Sequence, residues 1–423
     1  MSDPLILARA VHFAATMLAA GTVGFVALVA EPAAHAAGSA AIVMLRRHLT
    51  RVVWLALAIA VLSVAVWLVL LASSILGSSI ADVCLHGGAW SVLTDTRFGL
   101  VWCVRLGLAL TLGLLLLWPA TQWLQVTAAA TLLALPAMVG HAGATPGLGG
   151  KLHLASDMLH LLAAGAWLGG LPAFALLLWH TRSGTQPRRN KLAVLATGRF
   201  SVLGILNVGI LLASGLINSW NLLGSPRAII VTVYGRLLAL KIGLFVAMIA
   251  LAAVNRFYLT PQLPKPAAFR DLQRNSVAEI CLGLCVLLVV GVLGTLPPAA
   301  HVHGPPVGIP PDAAFVHIHA PEAMADVTID PGRAGRTDVM IRVSREDLSS
   351  FPAKDVRLAL DPPNAGGHTL ERTALKQSDG TWLIDGMTIT QPGIWTARVI
   401  VQPSQGEPIV LDAPIVIERG RHK

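Results

Sequence analysis

A short stretch of the chain carries three ionisable side chains at helical spacing. His153, Asp157 and His160 are separated by four and three residues, so on a helix they form one stripe along a single face. Met138 and His141, three residues apart, share a face of the segment just before it. Imidazole and thioether groups are a ligand set for copper. A carboxylate serves either as a further ligand or as the acceptor that fixes a histidine tautomer.

The elements that must position these residues are apolar runs long enough to span a membrane. The chain is 55% hydrophobic and 13% charged, which is far from the composition of a soluble globular protein. About 20 apolar helical residues are needed to cross the hydrocarbon core of a lipid bilayer. Eight such runs are present: Leu5–Ala30, Val52–Leu71, Phe98–Leu117, Trp123–Gly140, His153–Trp179, Ser201–Leu223, Leu237–Val254 and Val277–Leu296.

The distribution of basic residues predicts how these runs are oriented. Lys and Arg crowd the loops after the first, fifth and seventh runs, around Arg46, Arg188 and Arg270, and are sparse in the other loops. Because positive loops stay in the cytoplasm, both termini are predicted to face the periplasm of a bacterial inner membrane. The first run lacks a basic leader and is predicted to be an uncleaved span. The net charge of +9 then reflects topology and predicts no nucleic-acid partner.

This orientation brings a third segment to the depth of the stripe. His12 lies inside the first run, about 10 Å below the outer surface at 1.5 Å per helical residue. His141 ends the fourth run at the outer face, and His153 to His160 cover the same outer layer. Ionisable residues within a membrane are costly and face an interior or a pathway. Three chemistries stay open for this layer: copper ligation, haem ligation by paired histidines and proton relay.

Five further polar residues of the spans are assigned secondary roles. Cys281 and Cys285, four residues apart in the inner half of the last run, either form an exit site for Cu(I) or fill space as small apolar side chains. Arg105, Arg236 and Lys241 lie near the outer ends of the third and seventh runs. They either reach the interface or offset the negative charge of the stripe.

The character of the chain changes after residue 298. Residues 1–298 predict an all-α polytopic membrane bundle of eight helices, and residues 299–312, rich in Pro, Gly and His, predict a linker. Residues 313–423 contain short alternating runs such as "ADVTIDP" and "TDVMIRVS", divided by turn residues. This pattern predicts a small all-β sandwich of the immunoglobulin-like type. A nucleophile–base arrangement, a phosphate-binding loop and a Walker motif are absent from the sequence, which predicts neither an enzyme nor a nucleotide-binding protein.

Two His-x-His pairs lie near the start of this second part. His301 and His303 belong to the predicted linker, whereas His317 and His319 lie in an alternating run and point the same way from a strand. His-rich tracts bind metals readily. Both pairs are therefore candidate copper ligands outside the membrane.

Three longer stretches of the membrane half resemble a known family. "DMLHLLAAGAWLGGLPAF", "RFSVLGILNVGILLASGLINSW" and "YGRLLALKIGLFVAMIALAAVNRFYLTP" are similar to the CopD family of copper-resistance membrane proteins. The tail, through "DVTIDPGRAGRTDVMIRV", resembles the small YtkA-like (FixH-like) domains found with copper-handling proteins. The resemblance implies copper movement across the inner membrane, generally inward, with a periplasmic copper-binding partner of the CopC type. CopC-like domains, when fused, are expected ahead of the membrane part, whereas here a different sandwich follows it.

The residues and the resemblance together predict a copper transport or acquisition protein of the inner membrane. Copper, as Cu(I) or Cu(II), is received at the periplasmic face and passed inward between helices. Two alternatives stay open: a haem-binding membrane electron carrier that uses the same histidines, and a factor that delivers copper for oxidase assembly. The ligands predicted within the membrane are His12, Met138, His141, His153 and His160, with Asp157 as a ligand or an orienting acceptor.

Overall fold

The chain folds into two compact units, Met1–Val302 and His303–Lys423. The first unit contains the helices and the second contains the strands. The computed structural model describes residues 4–76, 79–85, 88–95, 97–139, 147–181, 187–223, 226–263, 265–296, 310, 312–319, 323–345, 349–362, 368–404 and 406–418.

The first unit is a bundle of helices that follow the apolar runs of the sequence. Several helices continue through a short π or 3-10 segment, such as Val26–Ala30 and Asn255–Leu259, and so become longer than their α-helical part. The α-helices of the described residues are α1 Pro4–Phe25, α2 Glu31–Ala37, α3 Ala41–Leu76, α4 Ile80–Leu85, α5 Gly88–Asp95, α6 Arg97–Leu115, α7 Gln122–Ala134, α8 Gly147–Leu168, α9 Leu171–Thr181, α10 Pro187–Leu223, α11 Ala228–Val231, α12 Val233–Val254 and α13 Pro266–Leu293.

Helical stretches of membrane length confirm the prediction of a multi-pass membrane protein. Within the described residues, seven stretches are long and apolar enough to cross a bilayer. Many of their large apolar side chains, such as Leu62, Leu216 and Val246, are exposed on the surface of the unit, as expected for contact with lipid. The seven stretches are Pro4–Ala37, Ala41–Ser73, Phe98–Leu115, Gly149–Thr181, Pro187–Leu223, Val233–Gln262 and Pro266–Leu293.

The predicted count of eight membrane-length helices is wrong by one among the described residues. The fourth predicted run, Trp123–Gly140, forms α7, which ends at Ala134 and is followed by the 3-10 turn Leu135–Met138. Pro136 lies in this turn, and a proline removes a backbone donor and disfavours continuation of an α-helix. The α-helical part of the run is therefore only about 20 Å long.

Glycines allow α1 and α8 to pack with their backbones in contact. A β-carbon placed on Gly21 would overlap the backbone of Gly165 and Gly169, and one placed on Gly169 would overlap the carbonyl of Met17. The small residues of "AAGAWLGG" thus let two helices approach closely, as is common in membrane bundles. This contact fixes α8, which carries the histidine stripe, directly against the first span.

The second unit is a sandwich of two antiparallel sheets, which confirms the predicted all-β tail. One sheet has the strand order β1-β2-β3-β7-β6 and the other β5-β4-β8-β9. The strands are β1 Ala314–His319, β2 Met324–Asp330, β3 Gly335–Ser344, β4 Ala353–Asp361, β5 Leu370–Thr373, β6 Leu375–Lys376, β7 Trp382–Ile389, β8 Gly393–Pro403 and β9 Ile409–Ile417.

Alternating side chains of both sheets form one hydrophobic core. Val327 and Ile329 of β2 are fully buried, and they belong to the same cluster as Leu358 of β4 and Val399 of β8. Trp395 is buried in this core, and its indole N–H donates a hydrogen bond to the Gln391 carbonyl at 3.0 Å. Side chains of the other register face outward, which places polar groups of β1 and β2 on the surface of the sandwich.

Candidate functional site

The stripe on α8 faces α10, and hydrogen bonds join the two helices. Nδ2 of Asn218 donates to Oδ1 of Asp157 at 3.1 Å. One turn further along, Nδ1 of His160 lies 3.0 Å from the Ser214 hydroxyl. His153, at the start of the stripe, is 5% exposed. The predicted stripe is therefore a polar interface between two membrane helices, buried at His153 and half-buried at Asp157 and His160.

The hydrogen bonds at Ser214 assign the tautomer of His160. The Ser214 hydroxyl donates its only proton to the Ile210 carbonyl at 2.6 Å, so its oxygen acts as acceptor toward the imidazole. Nδ1 of His160 then carries the proton, and Nε2 keeps its lone pair. An imidazole held through Nδ1–H with a free Nε2 is the arrangement in which histidine ligates a metal ion.

A lysine of α12 completes the charges around the stripe. The Lys241 ammonium and the Asp157 carboxylate attract each other, and the charge of Lys241 also acts on His160. Lys241 is thus close enough to the stripe for its charge to act there, which is the second of the two roles that the sequence leaves open for it. Arg236 is exposed, as an interface residue would be.

His12 has a different set of partners. It is 3% exposed, and its Nδ1 lies 3.0 Å from the Ala60 carbonyl of α3. Because a carbonyl only accepts, Nδ1 carries the proton and Nε2 keeps its lone pair. The Thr16 hydroxyl near Nε2 donates to the His12 carbonyl at 2.8 Å instead. His12 lines a cavity of about 20 Å³, which has room for about one water molecule.

Arg105 shares this small cavity with His12. Its guanidinium stacks on the Trp102 ring at 4.2 Å, and all three of its nitrogens lack a hydrogen-bond partner among the described residues. The positive charge of Arg105 acts on His12. A cation at this position opposes the entry of a copper ion beside His12.

The structure divides the predicted layer of ligands between two interfaces. The partners of His12 belong to α3 and α6, whereas the stripe is bounded by α10 and α12. No group of three or more His, Cys, Asp or Glu side chains that could hold a metal ion is formed by the described part of the chain. Met138, half-buried, ends the 3-10 turn after α7, and His141 lies outside the described residues.

The tail contributes one oriented histidine. Nδ1 of His317 lies 2.6 Å from Oδ1 of Asp326, its cross-strand partner on β2. The carboxylate accepts from Nδ1, which fixes the tautomer and orientation of this ring. His319 is on β1, but its side chain is outside the described set, and His301 and His303 lie outside the described residues.

The inner half of α13 carries the predicted cysteines and a buried acid. Cys281 and Cys285 are both exposed on the surface of the unit. Glu279, only 2% exposed, accepts a hydrogen bond of 2.6 Å from Nδ2 of Asn255. Asn275 donates to Asn255 in turn, at 2.8 Å. The exposed thiols are thus separate from this polar network, which borders a cavity of about 220 Å³.

Sequence reasoning missed several polar partners that the fold brings together. Ser214 and Asn218 lie within an apolar run, and only their separation of four residues marks a shared helical face. Asp326 lies in an alternating run, where a charged residue is ordinary. His48 and His180 were not considered, although Nδ1 of His48 lies 2.9 Å from Nε2 of His180.

Among the described residues, seven helical stretches of membrane length, with imidazoles and a carboxylate between them, define a class: a multi-pass membrane protein with ionisable groups between its helices. Family models agree with this class and specify it further. Residues 1–151 match the N-terminal domain of copper resistance protein D-like proteins, and residues 194–293 match copper resistance protein D.

Relatives with similar sequences lead to the same family. Copper resistance protein D of Pseudomonas syringae pv. tomato is 30% identical over 220 residues, which cover 49% of this chain and 71% of that protein. Inner membrane protein YebZ of Escherichia coli (strain K12) is 32% identical over 248 residues, 55% of this chain and 82% of that protein. Copper transport protein CutJ of Bacillus subtilis (strain 168) is 29% identical over 253 residues, 57% of this chain and 43% of that protein. The chain belongs to the copper resistance protein D family, which gives it a copper-related function at a membrane.

Proposed function

We propose that this protein carries copper across a bacterial inner membrane, receiving it on the periplasmic side and passing it inward along α8. The observation that carries the proposal is His160, half-buried between helices and oriented by Ser214 so that its Nε2 keeps its lone pair. Imidazole is a good copper ligand. The names of two relatives, a copper resistance and a copper transport protein, favour copper as the cargo.

The orientation of the bundle follows from its basic residues. Arg46 near the start of α3 pairs with Glu31 and donates to the Pro119 carbonyl, so the α2–α3 turn and the start of α7 lie at one end of the bundle. The crowded basic segments after α9 and around α13's start are assigned to the same cytoplasmic side. The chain then returns outward through α7 and its 3-10 turn, about 28 Å of rise in all. This orientation places His153 and the tail on the periplasmic side.

Two histidines on the stripe act in succession rather than together. Seven helical residues separate His153 from His160, a rise of about 10 Å, which is too long for both to bind one ion. Copper therefore binds first at His153 and then at His160, one level deeper. Met138 and His141 supply further ligands at the outer level, where the segment before α8 ends.

The charges of Lys241 and Asp157 determine the local charge beside the stripe. The two groups have opposite charges that act on each other, so a copper ion at His160 does not face an uncompensated ammonium. Asp157 is assigned the role of counter-ion and not of ligand, because its carboxylate is already bonded to Asn218 and attracted by Lys241.

The tail captures copper before it enters the membrane. His317, oriented by Asp326, and the neighbouring His-x-His residues form the capture site, and a periplasmic copper-binding protein similar to the CopC type is the donor. Imidazole groups on a solvated strand exchange metal readily.

The double variant H153A/H160A tests the proposal in living cells. Copper accumulation in cells that express the variant should fall to the level of cells lacking the protein, whereas H368A, which removes an exposed tail histidine, should behave as wild type. Equal accumulation in wild type and H153A/H160A would contradict the proposal. A Soret band in the purified wild-type protein, without stoichiometric copper, would replace it with haem binding.

A further inference from the structure

A pair of histidines joins α3 to α9 at the end of the bundle opposite to His153. Nδ1 of His48 lies 2.9 Å from Nε2 of His180, and the two ring centroids are 5.0 Å apart at an angle of 48°. The residues are 132 positions apart in sequence. Both are partly exposed, so solvent and small molecules reach the pair.

The hydrogen bonds around the pair determine which nitrogens carry lone pairs. Nδ1 of His180 lies 2.9 Å from the Leu176 carbonyl, which only accepts, so this nitrogen is protonated. Nε2 of His180 therefore keeps its lone pair and accepts the proton of His48 Nδ1. If the proton of His48 moves to its Nε2, two nitrogen lone pairs face each other across a short gap.

Two opposed imidazole nitrogens are a ligand set for Cu(I). A d10 ion of this kind forms stable linear complexes with two imidazoles, whereas Cu(II) prefers four ligands in a tetragonal arrangement. Metal–nitrogen bonds of about 2.0 Å require the nitrogens to be about 4 Å apart, so the rings must separate by about 1 Å. Side-chain rotation of two partly exposed residues supplies this movement.

The helix positions next to the pair are buried in the core of the bundle. Leu45 and Leu49 on α3 and Leu177 and Leu178 on α9 are almost completely buried in one hydrophobic cluster. Packing of the two helices therefore holds the two imidazoles close together. Trp179 packs edge-on against His180, with ring centroids 5.0 Å apart.

The location of the pair fits release into the cytoplasm. Arg46 and Arg47 precede His48, and Arg46 is neutralised by Glu31 at 2.8 Å. The basic segment around Arg188 follows His180 along the chain. In the orientation proposed above, His48 and His180 are thus at the inner end of the bundle.

We infer that His48 and His180 form a two-coordinate Cu(I) site from which copper leaves the membrane on the cytoplasmic side. This inference rests on the proposed function for the direction of movement. The binding site itself depends only on the geometry of the two imidazoles. Because both histidines are partly exposed, a soluble thiol can approach the bound ion, displace one imidazole and remove the ion.

Cu(I) titration of the purified full-length protein against a chromogenic chelator, without oxygen, tests the site. H48Q and H180Q should each bind one Cu(I) fewer than wild type, because an amide replaces the hydrogen bond but is a poor ligand for Cu(I). H48M should retain the ion, because a thioether binds Cu(I) although it donates no hydrogen bond. H35A is the matched control, since it removes an exposed imidazole from α2, and it should bind as wild type.

The opposite pattern would overturn the inference. If H48Q keeps the wild-type stoichiometry, or if H48M loses an ion as H48Q does, the pair is a structural hydrogen bond between α3 and α9. Thermal unfolding of each variant in detergent shows that the proteins compared are folded. Failure of this site is distinguishable from failure of the proposed function. If H48Q binds Cu(I) as wild type does while H153A/H160A abolishes copper uptake, only the inference about the inner pair is wrong. If H48Q loses one Cu(I) while H153A/H160A still supports uptake, only the proposed role of the α8 stripe is wrong.

Discussion

His160 of α8 donates from Nδ1 to the Ser214 hydroxyl of α10 at 3.0 Å, across 54 residues of sequence. The same hydroxyl donates to the Ile210 carbonyl. This chain of two hydrogen bonds orients a half-buried imidazole and leaves Nε2 unprotonated. Ionisable side chains within a membrane cost free energy, and those that are present usually mark a pathway.

Removal of the orienting hydroxyl should weaken copper binding without removing a ligand. In S214A the His160 ring loses its acceptor, and loss of such a partner weakens metal binding by about 10-fold or more. S214T keeps the hydroxyl and should bind as wild type. Competition titration of purified protein measures both, and equal affinities in S214A and wild type would show that Ser214 does not orient a ligand.

Asp157 is predicted to act through Lys241 rather than by binding copper. D157N leaves the ammonium without the carboxylate that attracts it, so it should weaken copper binding and lower the free energy of unfolding by at least ~1 kcal/mol. The double variant D157N/K241M removes both charges and should regain stability and copper binding. Thermal unfolding and copper titration report the two effects. A double variant that stays stable but binds no copper would identify Asp157 as a ligand.

The close contact of α1 and α8 should tolerate no side chain at Gly169. In G169A the new methyl group overlaps the Met17 carbonyl, and overpacking of this kind costs about 1–3 kcal/mol. G24A is the control, since a β-carbon on Gly24 meets no atom within 4 Å. Thermal unfolding in detergent should separate the two variants clearly, and similar melting temperatures would contradict the backbone contact.

Copper capture by the tail should depend on Asp326. D326N removes the carboxylate that accepts from Nδ1 of His317 at 2.6 Å, so the ring loses its fixed tautomer. Copper affinity at the tail of the full-length protein should fall about 10-fold, with the β-sandwich unchanged by circular dichroism. D385N, which alters an exposed carboxylate of β7, is the control. Unchanged copper affinity in D326N would show that His317 is not part of the capture site.

Much of the fold could be predicted from the sequence because its elements follow local patterns. Long apolar runs become helices, and alternation with a period of two becomes strands. The run around Pro136 was the exception, because one proline ends an α-helix inside an apolar stretch. The small residues of "AAGAWLGG" permit close approach of two helices, and Gly21 contacts Gly169 in this way.

The candidate site was less predictable because it depends on contacts between distant helices. The facial stripe of α8 follows from helical periodicity, but its partners Ser214 and Asn218 are more than fifty residues away. Depth in the membrane suggested that His12 belongs with the stripe. Rotation about the axis of α1 instead directs His12 toward α3, which a single sequence does not specify. For the same reason, the pairing of His48 with His180 could not be predicted from the sequence, because it depends on how α3 and α9 pack together.

Copper entry into liposomes that contain the purified protein tests the role of the α8 stripe most directly. Vesicles with wild-type protein should accumulate copper faster than empty vesicles, and H368A should match wild type. Vesicles with H160A should accumulate it no faster than empty ones, although the variant is inserted to the same amount. Wild-type rates of entry with H160A would show that copper does not pass along this stripe.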